Sequence, residues 1–202
     1  MKLVIATKNN NKINEIKQKF SDFTGLEIIS LTDFNNLPDI LEDGLTFEEN
    51  AIKKAKAYSR FTGETVLSDD SGLEIDALCG EPGVRSARYS GENASDDENN
   101  SLVLVKLKKV PDSKRTARFV CVIAIVQPNG TQYTAKGTCN GIMTDKKAGS
   151  NGFGYDPIFY FPDLKKTMAE LSLEEKNKIS HRAEALTKAK VILKKIMNEH
   201  VK

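Results

Sequence analysis

The sequence predicts an α/β fold with a mixed β-sheet flanked by helices. Helical and strand patterns alternate along the 202 residues, which is typical of parallel strands joined by crossover helices. The β-branched, apolar run Arg115–Gln127 is followed by Asn129-Gly130, a strong hairpin signal, so the sheet should also contain an antiparallel pair. The chain shows no internal repeat or linker, and its length fits a single domain, residues 1–202, with one body or two lobes.

The amino-terminal half contains short apolar runs that are each followed by a polar break, which is typical of buried strands. Two stretches between them place apolar residues at helical spacing, and the second begins with Thr46 and Glu49 in a capping box. The predicted elements are strands at Lys2–Ala6, Leu26–Ser30 and Thr65–Ser68, and helices from Lys12 and from Thr46 to about Phe61.

The carboxy-terminal half is marked by helix caps and by loops rich in glycine. Ser95 with Glu98 and Ser172 with Glu175 form capping boxes that open two further helices, and a long final helix begins at Ser180. The other predictions for this half are loops at Gly80–Gly91 and Gly149–Gly154, a returning strand at Thr131–Cys139, and a final-helix face of Leu186, Ala189, Leu193 and Ile196.

Charge and hydropathy exclude several classes of protein. The net charge is +2 and there is no long basic run, whereas wrapping of nucleic acid requires a clustered positive face. The longest apolar stretch, Phe119–Val126, is too short for a membrane helix, and the amino terminus lacks the apolar run of a secretory signal. The spacing of Cys79, Cys121 and Cys139 does not match a metal site and is typical of reduced thiols, so we expect a cytoplasmic protein. Together with the charge and the hydropathy, this predicts a protein without nucleic-acid or membrane partners. His200 is expected to be solvated.

A candidate anion site lies between the first strand and the first helix. Free backbone N–H groups at a helix start, together with the helix dipole, favour an anion, and two lysines add positive charge. The Gly-rich spacing of a Walker loop is absent, and an ordinary polar turn would explain the same spacing. The residues of this segment are Thr7, Lys8, Asn9, Asn10, Asn11 and Lys12.

Asp69 and Asp70 form a second candidate site, at the expected end of the third strand. Ligands of α/β sheets bind beyond the carboxyl ends of strands, and two adjacent carboxylates there need a cation or hydrogen-bond donors. Mg²⁺ fits because it takes one or two carboxylates together with phosphate oxygens and water. The alternative is a solvated turn with an aspartate cap. The acidic residues that could supply a second ligand are Glu42, Asp43, Glu48 and Glu49.

Two further segments carry side chains suited to contact a ligand. In Gly152–Pro157, glycines allow close backbone approach, an aromatic face can stack on a base, and Asp156 can accept from ring N–H groups. A hydrophobic anchor is the alternative there, and for Tyr155 core packing is the simpler interpretation. His181 and Arg182 lie in the first turn of the final helix, where cations oppose the dipole, and this conflict favours a ligand-facing role over a solvated pair.

Together these segments closely resemble the inosine triphosphate pyrophosphatase family, whose members are also called Ham1-like. The resemblance covers almost the whole chain, and the ordered set of motifs is highly specific although each motif alone is weak. Two positions depart from the family pattern, since Cys79 stands where a small residue, often Gly, is expected and Arg85 where an aromatic residue is common. The matching stretches are Ala6–Lys12, Gly44–Ala51, Leu67–Gly72, Gly80–Gly91, Gly152–Pro157 and Ser180–Arg182.

The resemblance implies an elongated fold of two lobes with a central cleft, a homodimer, and Mg²⁺-dependent hydrolysis of ITP, dITP and XTP to monophosphate and pyrophosphate. By motif match, Asp70 would be the general base and a metal ligand, and Glu42 the second metal ligand. Asp43, Glu49 and Asp69 compete for that second position. The substrate-binding residues implied are Thr7, Lys8, Asn9, Asn10, Asn11, Lys12 and Lys54 for the triphosphate, Ser71 beside the general base, and Phe153, Gly154, Tyr155, Asp156, Lys176, His181 and Arg182 for the nucleobase.

Three other functions stay open on the residues alone: a nucleotide hydrolase that releases orthophosphate or acts on standard nucleotides, a non-catalytic nucleotide sensor, and a nucleic-acid-binding domain. The paired acids favour an enzyme, because a pure triphosphate binder has little use for carboxylates that face anions without a metal. The near-neutral charge disfavours nucleic acid.

Overall fold

A computed structural model describes residues 1–199 of the chain, so the prediction for His200 lies outside the described residues. None of the helices in this described part is long and apolar enough to cross a membrane. The elements in chain order are β1 (Lys2–Ile5), α1 (Asn10–Lys19), β2 (Glu27–Ser30), α2 (Phe47–Thr62), β3 (Thr65–Ile75), α3 (Asp96–Leu107), β4 (Thr116–Val126), β5 (Gln132–Met143), β6 (Phe159–Phe161), β7 (Lys166–Thr167), α4 (Leu173–Ile179) and α5 (His181–Glu199).

The strands form one mixed seven-stranded sheet in the order β2-β1-β3-β4-β5-β6-β7. β1 pairs in parallel with both β2 and β3, and its register with β3 places Ile5 opposite Leu67. A tight turn joins β4 to β5, where Gln127 N–H donates to Thr131 O at 2.9 Å, and β5, β6 and β7 pair antiparallel. The predicted α/β class and mixed sheet are therefore confirmed.

The chain divides into two compact units. The first unit comprises Met1–Asp70, Cys121–Gly137 and the described residues from 182 onwards. Its core joins β1 and the first half of β3 to α1 and to the predicted apolar face of α5. The Cys121 thiol lies in this core, where burial raises its pKa to about 12. Such a thiol stays protonated, as expected for a structural cysteine.

The second unit comprises Ser71–Val120 and Thr138–His181. Its core contains Leu73 and Ile75 of β3, together with apolar residues of α3, β4, β5 and β6. Phe119 and Phe159 pack with ring centroids 4.6 Å apart in this core. The boundary between the units falls within β3, β4 and β5. The central cleft and the homodimer stay predictions.

Some predicted boundaries were wrong. The third strand does not end at Ser68 but continues to Ile75, because Leu73 and Ile75 are fully buried in the second core and fix the chain in an extended conformation. α1 begins at Asn10 rather than Lys12, since Asn9 supplies the cap. β5 runs to Met143, beyond the predicted Cys139, and the two- and three-residue strands β7 and β6 are too short to leave a pattern.

Candidate active site

Asp69 and Asp70 lie inside β3, beside the carboxyl end of β1. The pairing of β1 with β3 ends at Leu67, whose carbonyl accepts from Ala6 N–H at 2.7 Å. The next residues of β3 therefore extend past the end of its neighbour, with Asp69 at 1% and Asp70 at 8% exposure. The expected strand end is wrong for β3, but the general rule holds because the strand that ends at the site is β1.

Asp69 is held by two cations. Its Oδ2 lies 3.0 Å from Lys12 Nζ and 3.2 Å from Arg182 Nη2. Burial would raise the pKa of Asp69, but Lys12 and Arg182 outweigh it and hold the pKa well below its usual range. Asp69 therefore stays ionised, with its charge already balanced, and is a poor proton acceptor.

Arg182 is buried and paired with two carboxylates, and its expected role in binding the nucleobase stays a prediction. Its side chain is 1% exposed, and Nη1 donates to Glu15 Oε2 at 2.8 Å while the rest of the guanidinium contacts Asp69. Two buried carboxylates thus offset the unfavourable position of this cation in the first turn of α5. Glu15 was missed because a glutamate is expected to be exposed, whereas this one is buried next to Ile16.

Asp70 shares its surroundings with Glu42 and Lys54. Lys54 Nζ donates to Glu42 Oε2 at 2.9 Å and to Asp69 O at 2.8 Å. Burial raises the pKa of Asp70 to about 6, with Lys54 opposing this shift and the Glu42 carboxylate adding to it. Burial acts against the charge of Lys54, yet Asp70, Asp69 and Glu42 keep its pKa above the usual value, so it remains a cation. Asp70 is thus a carboxyl group poised to exchange a proton near neutral pH.

The structure narrows the choice of a second carboxylate. Asp43 is exposed and pairs with Lys53, whereas Glu49 Oε2 accepts from Leu45 N–H at 2.7 Å in the cap of α2. Glu48, the remaining acid, accepts from Thr134 Oγ1 at 3.0 Å. Glu42 is therefore the acid that lies with Asp70 around one cation.

A magnesium ion fits this donor set. Within residues 1–199 no group of three or more His, Cys, Asp or Glu side chains has the spacing of a metal cage. Mg²⁺ does not need such a cage, because it takes one or two carboxylates and completes its octahedron with phosphate oxygens and water. Glu42 and Asp70 provide two hard oxygen ligands of like charge, whose mutual repulsion a divalent cation would relieve.

Asn50 joins the Glu42 segment to α2. Gly44 N–H donates to Asn50 Oδ1 at 2.7 Å, and a side chain at position 44 would meet this amide, so the close approach needs glycine. Asn50 is 1% exposed, and its amide also lowers the pKa of Asp70. Asn50 was not among the predicted site residues, although it lies one helical turn before Lys54 on the buried face of α2.

The turn before α1 holds fewer free backbone donors than its position suggests. Asn9 Oδ1 accepts from the N–H groups of Asn11 and Lys12 at 2.9 and 3.2 Å, and Thr7 Oγ1 accepts from Asn9 N–H at 3.1 Å. The expectation that free N–H groups bind an anion is therefore wrong for these two amides, because the chain caps them itself. The exposed side chains of Lys8, Asn10 and Asn11 remain as donors.

The second unit brings Phe153, Asp156 and Lys176 together. Asp156 Oδ2 accepts from Lys176 Nζ at 2.7 Å and from Phe153 N–H at 3.0 Å, and both charged side chains are about 95% buried. Lys176 Nζ also lies 4.5 Å from the centroid of the Phe153 ring. Gly152, at φ 79°, lies so close to the Asp156 carboxylate that no Cβ fits. The result is a fixed turn that presents an aromatic ring beside a buried ion pair.

Two other predicted base contacts differ in their surroundings. Tyr155 is a core residue, 4% exposed, and its hydroxyl donates to Ser86 O at 2.8 Å, which agrees with the simpler interpretation of core packing. Its assignment to the substrate stays a prediction. The His181 ring stacks on Phe119 with centroids 4.8 Å apart. Ser71 follows Asp70 in β3 and is half-buried.

A sequence model described as the Ham1 family matches residues 3–192 of the chain. The chain belongs to the Ham1 family. Among curated Ham1 relatives, the dITP/XTP pyrophosphatase of Desulforamulus reducens is 51% identical over 196 residues, which are 97% of each chain. The dITP/XTP pyrophosphatase of Geobacter sulfurreducens is 51% identical over 185 residues, 92% of each chain.

Solved Ham1 structures share the fold. The Staphylococcus aureus Ham1 protein has a TM-score of 0.87 and 47% sequence identity, covering 96% of this chain and 98% of its own. A HAM1 protein from Coxiella burnetii has a TM-score of 0.89 and 43% identity, covering 96% and 99%. The resemblance inferred from the motifs is therefore confirmed.

The structure shows why the Ham1 pattern often has glycine at position 79. Cys79 is exposed and has a φ of 54°, in the left-handed region that glycine adopts without strain. A residue with a Cβ is therefore strained at this position. Arg85, the other departure, is exposed in a short 3₁₀ turn, Gly83–Arg88.

Proposed function

We propose that this chain hydrolyses the non-standard purine nucleoside triphosphates ITP, dITP and XTP to the monophosphate and pyrophosphate. The observation that carries the proposal is the buried Asp70 carboxyl, whose pKa is raised to about 6, beside Glu42 and Lys54. The Ham1 membership and the similarity to dITP/XTP pyrophosphatases support the same reaction. A cytoplasmic homodimer acting on a small-molecule substrate is part of this proposal.

In the first unit, the cations serve the triphosphate. Lys8 is exposed at the start of α1, and the side-chain amides of Asn10 and Asn11 are available as donors. Lys12 and Lys54 are already engaged with carboxylates, so their ammonium groups are fixed in position before a substrate arrives. Fixed charge of this kind stabilises phosphoryl transfer because no reorganisation is needed during the reaction.

Glu42 and Asp70 would hold Mg²⁺, which when bound would neutralise charge on the phosphate oxygens and lower the pKa of a water molecule. The side chain of Asp70 would accept the proton of the water that attacks the α-phosphorus, and pyrophosphate would leave. A proton acceptor of this kind contributes roughly two to four orders of magnitude in rate. Asp69 would keep Lys12 oriented and would not exchange protons, since its charge is balanced by two cations.

In the second unit, the turn at Gly152–Asp156 would take the nucleobase. The Phe153 ring offers a stacking face, and Lys176 and His181 offer donors for the 6-oxo group that hypoxanthine and xanthine share. Adenine carries an amino donor at that position, so donors would oppose each other. Sites built on such hydrogen bonds discriminate by as much as about 10⁴. Arg182 belongs to the set that the resemblance assigns to the nucleobase, and it is held by Glu15 and Asp69 as Lys176 is held by Asp156.

A nucleotide panel with product analysis tests the proposal. Purified protein is given ITP, dITP, XTP, ATP and GTP with Mg²⁺, and pyrophosphate and orthophosphate are measured separately, with a parallel series in EDTA. We expect pyrophosphate from the first three nucleotides and no turnover in EDTA. Release of orthophosphate would favour a different hydrolase, and binding without turnover would favour a nucleotide sensor.

A further inference from the structure

Two side chains at the amino-terminal end of α3 hold the backbone N–H and C=O groups of Gly154. Gly154 N–H donates to Asp96 Oδ2 at 2.6 Å, and Asn100 Nδ2 donates to Gly154 O at 2.9 Å. Asp96 and Asn100 are four residues apart and therefore lie on the same helix face. Asn100 Nδ2 also donates to Asp96 O at 2.8 Å, which fixes the amide in the orientation that reaches Gly154.

Capping of α3 does not account for Asp96. The cap is complete without it, because Glu98 N–H donates to Ser95 Oγ at 3.2 Å and Ser95 N–H donates to Glu98 Oε2 at 2.7 Å. The Asp96 carboxylate instead points to a chain segment 58 residues away and makes a short, charge-assisted hydrogen bond. Asn100 is 3% exposed, and a buried amide is costly in a helix unless it is hydrogen-bonded.

The same loop is anchored on either side of Phe153. Before it, Asn151 N–H donates to Ala169 O and Asn151 Nδ2 to Leu171 O, both at 3.0 Å. After it, α3 holds Gly154. The backbone is thus anchored on both sides of Phe153, whose ring lies 4.5 Å from the Lys176 ammonium. Loss of the α3 contacts would free the backbone on the carboxyl side of Phe153 while leaving the Lys176 ammonium, which lies over the ring, in the chain.

We propose that Asp96 and Asn100 are positioning residues for nucleobase recognition, which they support by holding Gly154 and so fixing the Phe153 ring. This inference rests on the proposed function, because it assumes that Phe153 stacks on the base. It assigns base recognition partly to α3, which acts through the backbone of Gly154. Positioning of this kind affects substrate binding more than the chemical step.

The test compares Asp96→Ala and Asn100→Ala with the matched control Asp97→Ala. Asp97 is the next residue, also acidic and in the first turn, but it contacts Lys147 through an exposed pair that contributes little. For both test variants we expect the KM for ITP to rise about tenfold and kcat to stay within about twofold. Asp97→Ala should match the wild type. Asp96→Asn retains a neutral acceptor and should recover most of the lost affinity.

Inorganic tripolyphosphate separates positioning from general damage, because it has no base. As a competitive inhibitor of ITP hydrolysis it should be equally potent against the wild type and both alanine variants. An unchanged KM in folded variants, or an equal loss of tripolyphosphate affinity, would overturn the inference. Should Asp96→Ala not fold, Asp96→Glu displaces the acceptor by one methylene and is read by the same two criteria. Failure of the wild type to hydrolyse ITP would instead refute the proposed function.

Discussion

Replacing Asp70 with asparagine is expected to stabilise the metal-free protein while removing its activity. Burial raises the pKa of Asp70 from an ordinary value of 3.8 to about 6, with Lys54 opposing the shift and Glu42 adding to it. A carboxyl group with a higher pKa in the folded chain than in the unfolded chain destabilises the fold when it ionises. Asparagine has nearly the same shape and no charge, so this cost disappears.

The size of the effect follows from the pH dependence. Below the unfolded-state pKa of 3.8 the group is protonated in both states, and the cost grows until the pH passes the folded-state value of about 6. A pKa difference of about two units corresponds to about 3 kcal/mol when the cost is complete, and to about 1 kcal/mol near pH 4.5. The stability advantage of Asp70→Asn over the wild type should therefore increase by about 2 kcal/mol between about pH 4.5 and about pH 8.

Urea unfolding in EDTA measures this difference, and Asp69→Asn is its matched control. Lys12 and Arg182 overcome the effect of burial and keep the pKa of Asp69 well below its usual range. Its ionised form therefore stabilises the fold above the unfolded-state pKa, and this stability is lost as the pH falls through the folded-state value. Asp69→Asn should destabilise the protein at neutral pH, the opposite sign to its neighbour. A stability difference between Asp70→Asn and wild type that does not change with pH would refute the reasoning.

The same Asp70→Asn protein should lose at least about a hundredfold in turnover of ITP with Mg²⁺, because amide nitrogen and oxygen do not accept the water proton. Circular dichroism and the urea midpoint provide the folding control. Near-normal turnover in a folded variant would remove Asp70 as the proton acceptor. Loss of activity with gain of stability is the pattern expected where an active site is kept at the expense of stability.

Three further predictions concern the charged network, the metal site and the strained turn. Arg182→Ala leaves Asp69 and Glu15 buried without their shared cation, so the free energy of unfolding should fall by about 3 to 5 kcal/mol in denaturant titrations. The nucleobase role that the resemblance assigns to Arg182 predicts a change in base preference instead, and a stable variant with altered preference would support that role. Glu42→Gln should weaken Mg²⁺ binding measured by calorimetry about tenfold or more, whereas Asp43→Asn should not; equal effects would exclude Glu42 as the specific ligand. Cys79→Gly should raise the unfolding free energy by about 0.5 to 1 kcal/mol by relieving the left-handed conformation, and Cys79→Ser should leave it unchanged; no gain from glycine would mean that the turn is unstrained.

The elements that sequence patterns predicted correctly are those whose signals are local. The caps at Thr46, Ser95 and Ser172 and the hairpin at Asn129-Gly130 depend on neighbouring residues, and each lies where it was predicted. Only the capping box predicted for Thr46 is incomplete, because Glu49 accepts from Leu45 N–H instead. The end of β3 depends instead on a distant core. Two adjacent aspartates suggest a turn, because ionised carboxylates avoid burial. Here the cations Lys12, Arg182 and Lys54 compensate the two carboxylates and allow them to be buried in a strand.

The sequence predicted which residues belong to the site but not which partners their side chains contact. The motifs identified Asp70 and Lys176, which are buried, and Glu42, which is half-buried, and all three have close charged partners. The role of Arg182 was not predictable, because its two carboxylate partners lie 113 and 167 residues away in sequence. Asn50 and the α3 residues that hold Gly154 escaped notice for the same reason, since each acts through a backbone group of another segment.

Side chains alternate in direction along β3, and this alternation gives the two adjacent aspartates different surroundings. Successive side chains point to opposite faces of a sheet, so β3 directs Asp69 towards α1 and the Arg182 guanidinium, and Asp70 towards α2 and the Lys54 ammonium. One face supplies two cations and locks a carboxylate in its ionised form; the other supplies one cation and a competing acid and leaves a carboxyl that titrates. Shifting β3 by one residue against β1 would exchange these environments. The register that pairs Leu67 with the last residue of β1 therefore determines which aspartate can accept a proton.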